Sequence, residues 1–320
     1  MRVFVAGATG AIGRPLVAQL IAAGHEVTGM TRSEARAEGI RHAGAAAVVA
    51  DALDADGVRR AIAGAEPEAV VHQLTDLPQE FGMRQRLGET SRLRTEGTRN
   101  LLDAARAAGA RRFVAQSISF IYSPKAPPVA DEDAPTLAGA PGFGEAVDAV
   151  LELERMVTGA EGLEGLALRY GFFYGPGTWY ARGTKLVRNV ERRRFPIVGD
   201  GDGIWSFVHV DDAAAATVAA VERGAPGVYN VVDDDPAPMR EWLPGLAEAL
   251  GAKPPRRVPL WLARLAAGKG TTGMTAAMRG ASNAKAKREL GWAPRYPSWR
   301  QGFRDGLSDG PPQARLHAAA

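Results

Sequence analysis

The densest chemical signal in the chain is Gly7-Ala8-Thr9-Gly10-Ala11-Ile12-Gly13. Three glycines at GxxGxxG spacing follow an apolar run, Arg2–Ala6, and precede an amphipathic stretch. Gly7 permits a tight turn, Gly10 lets the backbone approach a pyrophosphate, and Gly13 lets a helix settle close to a strand. The helix N-terminus then adds free N–H groups and partial positive charge. Gly7, Thr9, Gly10, Ala11, Ile12 and Gly13 are therefore expected to hold dinucleotide phosphates. In Gly29-Met30-Thr31-Arg32-Ser33 no acid stands where an NAD site offers one to the ribose hydroxyls. Arg32 can instead pair with a 2′-phosphate in bidentate fashion, so NADP is expected ahead of NAD, unless Arg32 only stacks on the adenine. Asp51, followed by Ala52 and Leu53, can accept from the adenine amino group or cap the next helix. His72, Gln73 and Leu74 close a fourth apolar run and can line the cofactor; a histidine simply satisfied at a strand end is an equal reading. A nicotinamide carries hydride chemistry itself, so the chain has only to supply the proton. The candidates are Tyr174 and Tyr122, on loops after strands, and His209. A tyrosine without a neighbouring cation keeps a pKa of about 10 and donates better than it accepts.

The elements that must position these residues alternate. Apolar β-type runs at Arg2–Ala6, Glu26–Met30, Ala46–Ala50, Ala69–Gln73, Arg112–Gln116 and Leu166–Arg169 are separated by helical patterns near 12–23, 34–43, 55–63, 84–108 and 144–160. Continuous apolar strands alternating with helices predict an α/β fold, a doubly wound parallel sheet covered on both faces. Residues 1–170, with returning segments near 203–235, are expected to form the Rossmann domain. Residues 171–320, rich in Gly, Pro and aromatic loops, are expected to form a smaller, mixed substrate lobe. The last ten residues are expected to fray.

Composition removes several classes. The 320 residues hold no cysteine and five histidines, which excludes disulfides, thiolate metal sites and a thiol nucleophile and leaves no histidine cluster for a metal. Charge is nearly balanced, 39 basic against 36 acidic residues. The run Arg192-Arg193-Arg194 reads as a solvated helix face, so no nucleic-acid partner is expected. No apolar stretch is long enough to span a membrane and no leader is evident. A cytoplasmic protein acting on a small molecule is the expectation.

The chain resembles the extended short-chain dehydrogenase/reductases, the NAD-dependent epimerase/dehydratase family. The resemblance is carried by the glycine motif, Val70-Val71-His72-Gln73-Leu74, Glu96-Gly97-Thr98-Arg99-Asn100-Leu101-Leu102, Arg169-Tyr170-Gly171-Phe172-Phe173-Tyr174-Gly175-Pro176-Gly177, Phe207-Val208-His209-Val210-Asp211-Asp212 and Ala284–Trp292. It implies a Rossmann domain with a C-terminal substrate lobe. It also implies a tyrosine and a lysine at i, i+4 on one helix, the lysine lowering the phenol's pKa. Registered on Glu154, those two positions are Ala146 and Val150 here. The family's serine or threonine falls at Ile118, and its asparagine at Arg94. The arginine that pairs with a nucleotide-sugar diphosphate falls at Trp205, which disfavours such a substrate. In the family, the His209–Asp212 motif is mainly structural. The aromatics Tyr170, Phe172, Phe173, Tyr174, Trp179, Tyr180 and Trp205 suit an apolar or aromatic ligand or, equally, a core. The reading is an NADP-dependent oxidoreductase of the epimerase/dehydratase type with a degenerate tetrad. The alternatives are a non-redox dinucleotide sensor or an isomerase or cyclase scaffold and, behind these, a nucleotide-sugar epimerase. The resemblance also allows a homodimer through the helices near 84–108 and 144–160, the second carrying Ala149, Val150, Leu151 and Leu153.

Overall fold

A computed structural model describes residues 1–77, 88–139, 143–267 and 275–307. The strands, in chain order, are β1 (Arg2–Ala6), β2 (Glu26–Thr31), β3 (Ala46–Val49), β4 (Ala69–His72), β5 (Arg112–Ile118), β6 (Val129–Ala130), β7 (Glu164–Tyr170), β8 (Phe172–Tyr174), β9 (Ile197–Val198), β10 (Ile204–Trp205), β11 (Phe207–His209), β12 (Gly227–Val231), β13 (Ala237–Pro238), β14 (Arg257–Val258) and β15 (Gly280–Ala281). The helices include α1 (Gly13–Ala22), α2 (Glu34–His42), α3 (Ala55–Ala65), α4 (Gly88–Arg92), α5 (Thr98–Ala107), α6 (Phe143–Thr158), α7 (Lys185–Glu191), α8 (Val210–Glu222), α9 (Met239–Ala249) and α10 (Leu260–Ala267).

Seven parallel strands form the central sheet in the order β12-β7-β5-β4-β1-β2-β3. Side chains alternate across each strand, and both faces are covered. On β1, Val3 and Val5 join Leu16 and Leu20 of α1 and Ala213 and Ala220 of α8. Phe4 and Ala6 join Ile62 of α3, Leu101 of α5 and Leu153 and Val157 of α6 on the other face. The uniformly apolar strands follow from this double burial, and the expected α/β doubly wound sheet is the fold observed. The strand order reverses between β1 and β4, so their carboxyl ends flank the crevice where such sheets take ligands. The register sets Ala6 between Met30 and His72, and His72 beside Ala115, which lines up the loops after these strands along one rim.

The helical pattern near 84–108 is broken in a way its periodicity hides. Residues 84–87 lie outside those described; α4 then runs into a π-helical turn, Leu93–Gly97, before α5. One residue too many per turn bulges the backbone there, a device common at functional sites. The expected tail lies outside the described residues beyond Leu307. In the remaining chain β8 pairs parallel with β11, setting Tyr174 beside His209. Tyr174, Phe207, Trp242, Trp299 and Phe303 form an aromatic core there.

One buried ion pair fastens α6 to the far half of the sheet. Arg169 on β7 meets Glu154 on α6 through two parallel bonds, Nε to Oε1 and Nη2 to Oε2, both 2.8 Å. Ser117 of β5 donates to the same Oε1 at 2.5 Å. Arg169 Nη1 donates to the Tyr122 hydroxyl at 3.1 Å and to the Glu132 carbonyl at 2.9 Å. The Tyr122 hydroxyl donates to Asn230 Oδ1 of β12 at 2.7 Å. The bidentate geometry and full set of partners offset the desolvation of both charges.

The apolar residues of α6 that suggest a dimer serve the chain's own interior. Val150 and Leu153 are fully buried within it and Ala149 nearly so; Leu151 is half-buried. Among the described residues no helix is long and apolar enough to cross a membrane, and no cluster of three or more potential metal ligands occurs.

Arg169→Met strands the Glu154 carboxylate in the interior and should destabilise the fold by roughly 3–5 kcal/mol. The double variant R169M/E154L, which removes both charges, should recover more than half of that loss in urea unfolding. An additive double variant would show that the pair is not coupled.

Candidate active site

Each glycine of the loop after β1 has its own steric reason. Gly7 sits at φ +93°, and a Cβ there would lie 2.8 Å from the Gln73 carbonyl oxygen. At Gly13 a Cβ would lie 2.1 Å from the Gly7 oxygen, so only glycine lets α1 start this close to β1. At Gly10 a Cβ would meet one backbone oxygen, at 3.3 Å. That contact is tight but far less severe than those at Gly7 and Gly13, and the bare position also leaves room for a ligand. No side chain caps α1; Arg14 and Leu16 already donate to the Gly10 and Ile12 carbonyls, and the helix N-terminus still turns its partial positive charge toward an anion. Ala8 and Ile12 are buried and brace the loop, while Thr9 and Ala11 are half-buried and Gly10 is exposed. This cradle fits a dinucleotide pyrophosphate.

Beside the cradle, Arg32 is exposed at the end of β2, its Nη2 3.4 Å from Asp76 Oδ1. Asp51 is exposed and accepts the Leu53 N–H at 3.0 Å. It does not cap α3; Asp54 does, accepting from Gly57 N at 3.1 Å. Ala52 is buried, and its carbonyl accepts from Asn100 Nδ2 at 2.9 Å, which fixes this loop to α5. Leu74 is half-buried at the rim. Gln73 is buried and turns away from the crevice, donating to the Tyr170 hydroxyl at 3.1 Å.

His72 corrects one expectation. Its ring is buried, not lining a pocket: Nδ1 accepts the Leu74 N–H at 3.2 Å and Nε2 faces Thr98 Oγ1 at 3.1 Å. Burial, aided by the nearby Arg94 charge and opposed by a backbone hydrogen bond at Leu93, lowers its pKa to about 4. The ring is a neutral brace between β4 and α5.

The three expected proton donors are corrected as well. Tyr174 is wholly buried, edge-on to His209 and Phe303, and a Cβ on Gly302 would strike its hydroxyl. Burial, with Asp233 nearby, raises its pKa. Tyr122 is buried in the Arg169 network. His209 is buried, accepts the Asp211 N–H at 3.1 Å to start α8, and contacts the Gly306 carbonyl at 3.3 Å. Their loops do end at the rim, but each side chain turns into packing that consumes its polar atoms or encloses them.

The positions where the resemblance implies a tetrad are apolar or cationic. Ala146 and Val150 are buried on α6, and Ile118 is buried at the end of β5. Ser117 beside it is bound to Glu154, and Ser119 is buried. Arg94 lies on the π-helical turn and is buried. The sequence names Arg94 as a departure; its burial without a counter-charge becomes visible only in the structure. Phe120, missed in the aromatic list, stacks on Phe172 at 4.4 Å, and Phe172 stacks on Trp205 at 4.3 Å. Tyr170, Tyr174, Tyr180 and Trp205 are core, whereas Phe120, Phe172, Phe173 and Trp179 are half-buried. The signal for Phe120 lay in its place just beyond β5.

His72 also makes a pH prediction. Its pKa is lower in the folded chain, about 4, than the value of about 6.5 it takes when unfolded. The unfolded chain therefore binds more protons between these values. The stability His72 protects is complete above pH 6.5 and is lost as pH falls toward 4, to the extent of about 3 kcal/mol. His72→Gln should flatten that limb of the stability–pH profile, and identical slopes for both proteins would refute the assignment.

Comparisons agree with this architecture. The profile of the NAD dependent epimerase/dehydratase family matches residues 3–231. A 3-diazoavenalumate denitrifying reductase from a Streptomyces species is 50% identical over 312 residues, covering 95% of this chain and 99% of the relative. A 4-hydroxy-2-methyl-3-oxo-4-farnesyl-3,4-dihydroquinoline-1-oxide ketoreductase from Stigmatella aurantiaca is 28% identical over 270 residues, 83% of this chain and 79% of the relative. The UDP-glucose 4-epimerase of Thermotoga maritima, solved with UDP-glucose, superposes with a TM-score of 0.77 at 23% identity over 96% of this chain and 97% of that one. With the cradle, the reversed strand order and the profile in agreement, the chain belongs to the NAD-dependent epimerase/dehydratase family.

Proposed function

We propose that the protein is an NADP(H)-dependent reductase whose substrate accepts hydride without needing a proton from the chain. The observation that carries this reading is the pairing of an intact phosphate cradle with apolar side chains at Ala146, Val150 and Ile118. A bound reduced nicotinamide supplies the hydride. Reducing a carbonyl creates an alkoxide, which must be protonated, and no side chain described here is placed to do it. An arenediazonium ion poses no such demand. The hydride's electron pair makes a new bond, the carbon–nitrogen bond breaks, and dinitrogen leaves. Arenediazonium plus hydride gives arene plus N2, with charge and hydrogen balanced and no proton required.

The relative named as a 3-diazoavenalumate denitrifying reductase supports this substrate class. The ketoreductase relative is less similar and names chemistry that needs a proton. Phe120, Phe172 and Trp205 form a continuous aromatic stack beyond β5, an apolar setting suited to an arene. The chain's own tasks are thus to hold the cofactor, stack the arene and exclude water. On this reading residues 1–170 with 203–235 serve the cofactor, and residues 171–320 mainly serve the substrate.

Incubation with NADPH and 4-carboxybenzenediazonium should release one N2 and one benzoate per cofactor oxidised, faster than without enzyme. With cofactor deuterated at C4, deuterium should appear on the ring carbon that carried nitrogen. Cofactor oxidation without N2, or preferred turnover of a ketone, would overturn the reading. Tyr122→Phe and Tyr174→Phe should leave kcat within about threefold, because the reaction asks neither hydroxyl for a proton.

Arg32 supports NADP over NAD. Arg32→Ala should weaken NADP by 1–3 kcal/mol, roughly the worth of a charge-assisted bond, and hardly alter NAD. Asp76→Asn, which frees Arg32 from its carboxylate partner, should tighten NADP. Equal losses for both cofactors in R32A would show that Arg32 does not read the phosphate.

A further inference from the structure

Two arginines are buried among the described residues, and their circumstances are opposite. Arg169 gives its donors to Glu154, Tyr122 and the Glu132 carbonyl. Arg94 is 6% exposed and has no hydrogen bond or ion pair among the described residues. Burial lowers its pKa only to about 10, so it stays charged at neutral pH. None of its nitrogens is sealed from solvent without a partner, so a guanidinium with no protein counter-charge among the described residues still reaches water and is open to an anion. An anion that arrives from outside would supply that counter-charge.

Placement says where that anion comes from. Arg94 sits on the π-helical turn, which packs against α6, the helix that carries Ala146 and Val150. It lies close enough to His72, at the end of β4, to bear on that ring's charge. The phosphate cradle is on the loop after β1, where the glycines and the start of α1 serve the pyrophosphate. Arg94 stands on the turn packed against α6, at the position where the family resemblance implies the tetrad's asparagine.

We propose that Arg94 is the anion anchor of the substrate: its guanidinium holds a carboxylate oxygen of the arene at the reacting end of the crevice. The guanidinium fork suits a carboxylate in bidentate fashion. The same cation repels a diazonium that carries no anion, so the site selects a diazo-arene that is also a carboxylate. The choice of substrate class rests on the reading above, but the anchor itself is tested without turnover.

The first arm is binding. Calorimetry of benzoate with the NADP-loaded protein should show at least a tenfold loss of affinity in Arg94→Met and a partial loss in Arg94→Lys. NADPH affinity should stay within twofold in both variants; a larger loss would assign Arg94 to a cofactor phosphate and overturn the proposal. Because R94M removes an unpaired charge, its Tm without ligand should equal or exceed that of the parent. A lower Tm, with benzoate binding unchanged, would make Arg94 structural and overturn it too. The second arm is turnover. The parent should favour 4-carboxybenzenediazonium over its methyl ester by at least tenfold in kcat/KM, and R94M should abolish the preference. Equal loss on both substrates would refute the anchor. Arg94-dependent benzoate binding with no N2 release would leave the anchor standing and sink the diazo reading; N2 release that ignores Arg94 would do the reverse.

Discussion

The bidentate contact between Arg169 and Glu154 is the constraint from which the rest of the crevice follows. It joins β7 to α6 through the body of the molecule, and Ser117 brings β5 into the same cluster. Through Tyr122 and Asn230 it extends to β12. α6 therefore cannot slide along the sheet without stranding a charge in the interior, which is far costlier than losing a surface ion pair. That fixed register sets Val150 beside Ile118 and Ile121. The composition of the crevice is thus a consequence of a buried pair one helical turn further along.

The two halves of the crevice are held by different physics. The cradle after β1 is steric: Gly7 and Gly13 are required because any Cβ would collide with backbone. The flank formed by α6 and the turn that carries Arg94 is electrostatic. It holds a buried cation that has no ion pair among the described residues. On the proposed reading, one rigid, cofactor-shaped wall and one charge-selecting wall separate the two recognition tasks. Substitutions in the second can alter substrate preference without disturbing the first.

The sheet was legible because a doubly covered parallel strand leaves a continuous apolar run, and β1, β2 and β4 show this plainly. β12 was not, because Gly227-Val-Tyr-Asn-Val231 mixes an edge strand with polar residues that join the buried network. The glycine loop was legible because its constraints are local and each glycine's neighbour is close in sequence. Tyr122, Tyr174 and His209 were misjudged for the complementary reason. A side chain at a strand end reaches either the crevice or the core, and that choice is made by distant residues such as Asn230, Phe303 and Gly306. The π-helical turn was invisible because Gly88–Ala107 keeps a helical pattern through it. Arg94 was visible as a type, but no sequence shows whether a charge is paired.

The scarcity of reactive side chains gains a reason under the proposed chemistry. Arenediazonium ions couple to thiolates, amines, imidazoles and phenols, which are the ordinary catalysts of this kind of crevice. A site that handles such an electrophile must expose none of them to it. The chain has no cysteine; His72 and His209 are buried, and Tyr122, Tyr170, Tyr174 and Tyr180 are enclosed. The half-buried aromatic surface is Phe120, Phe172, Phe173 and Trp179, largely phenylalanine. Arg94 adds charge without a free electron pair at neutral pH, because the guanidinium stays protonated. A lysine there would titrate more readily and present an amine. Losing the tyrosine–lysine pair therefore does two things at once. It removes a proton source that hydride transfer with loss of N2 does not need, and it removes the two groups that such a substrate would modify first.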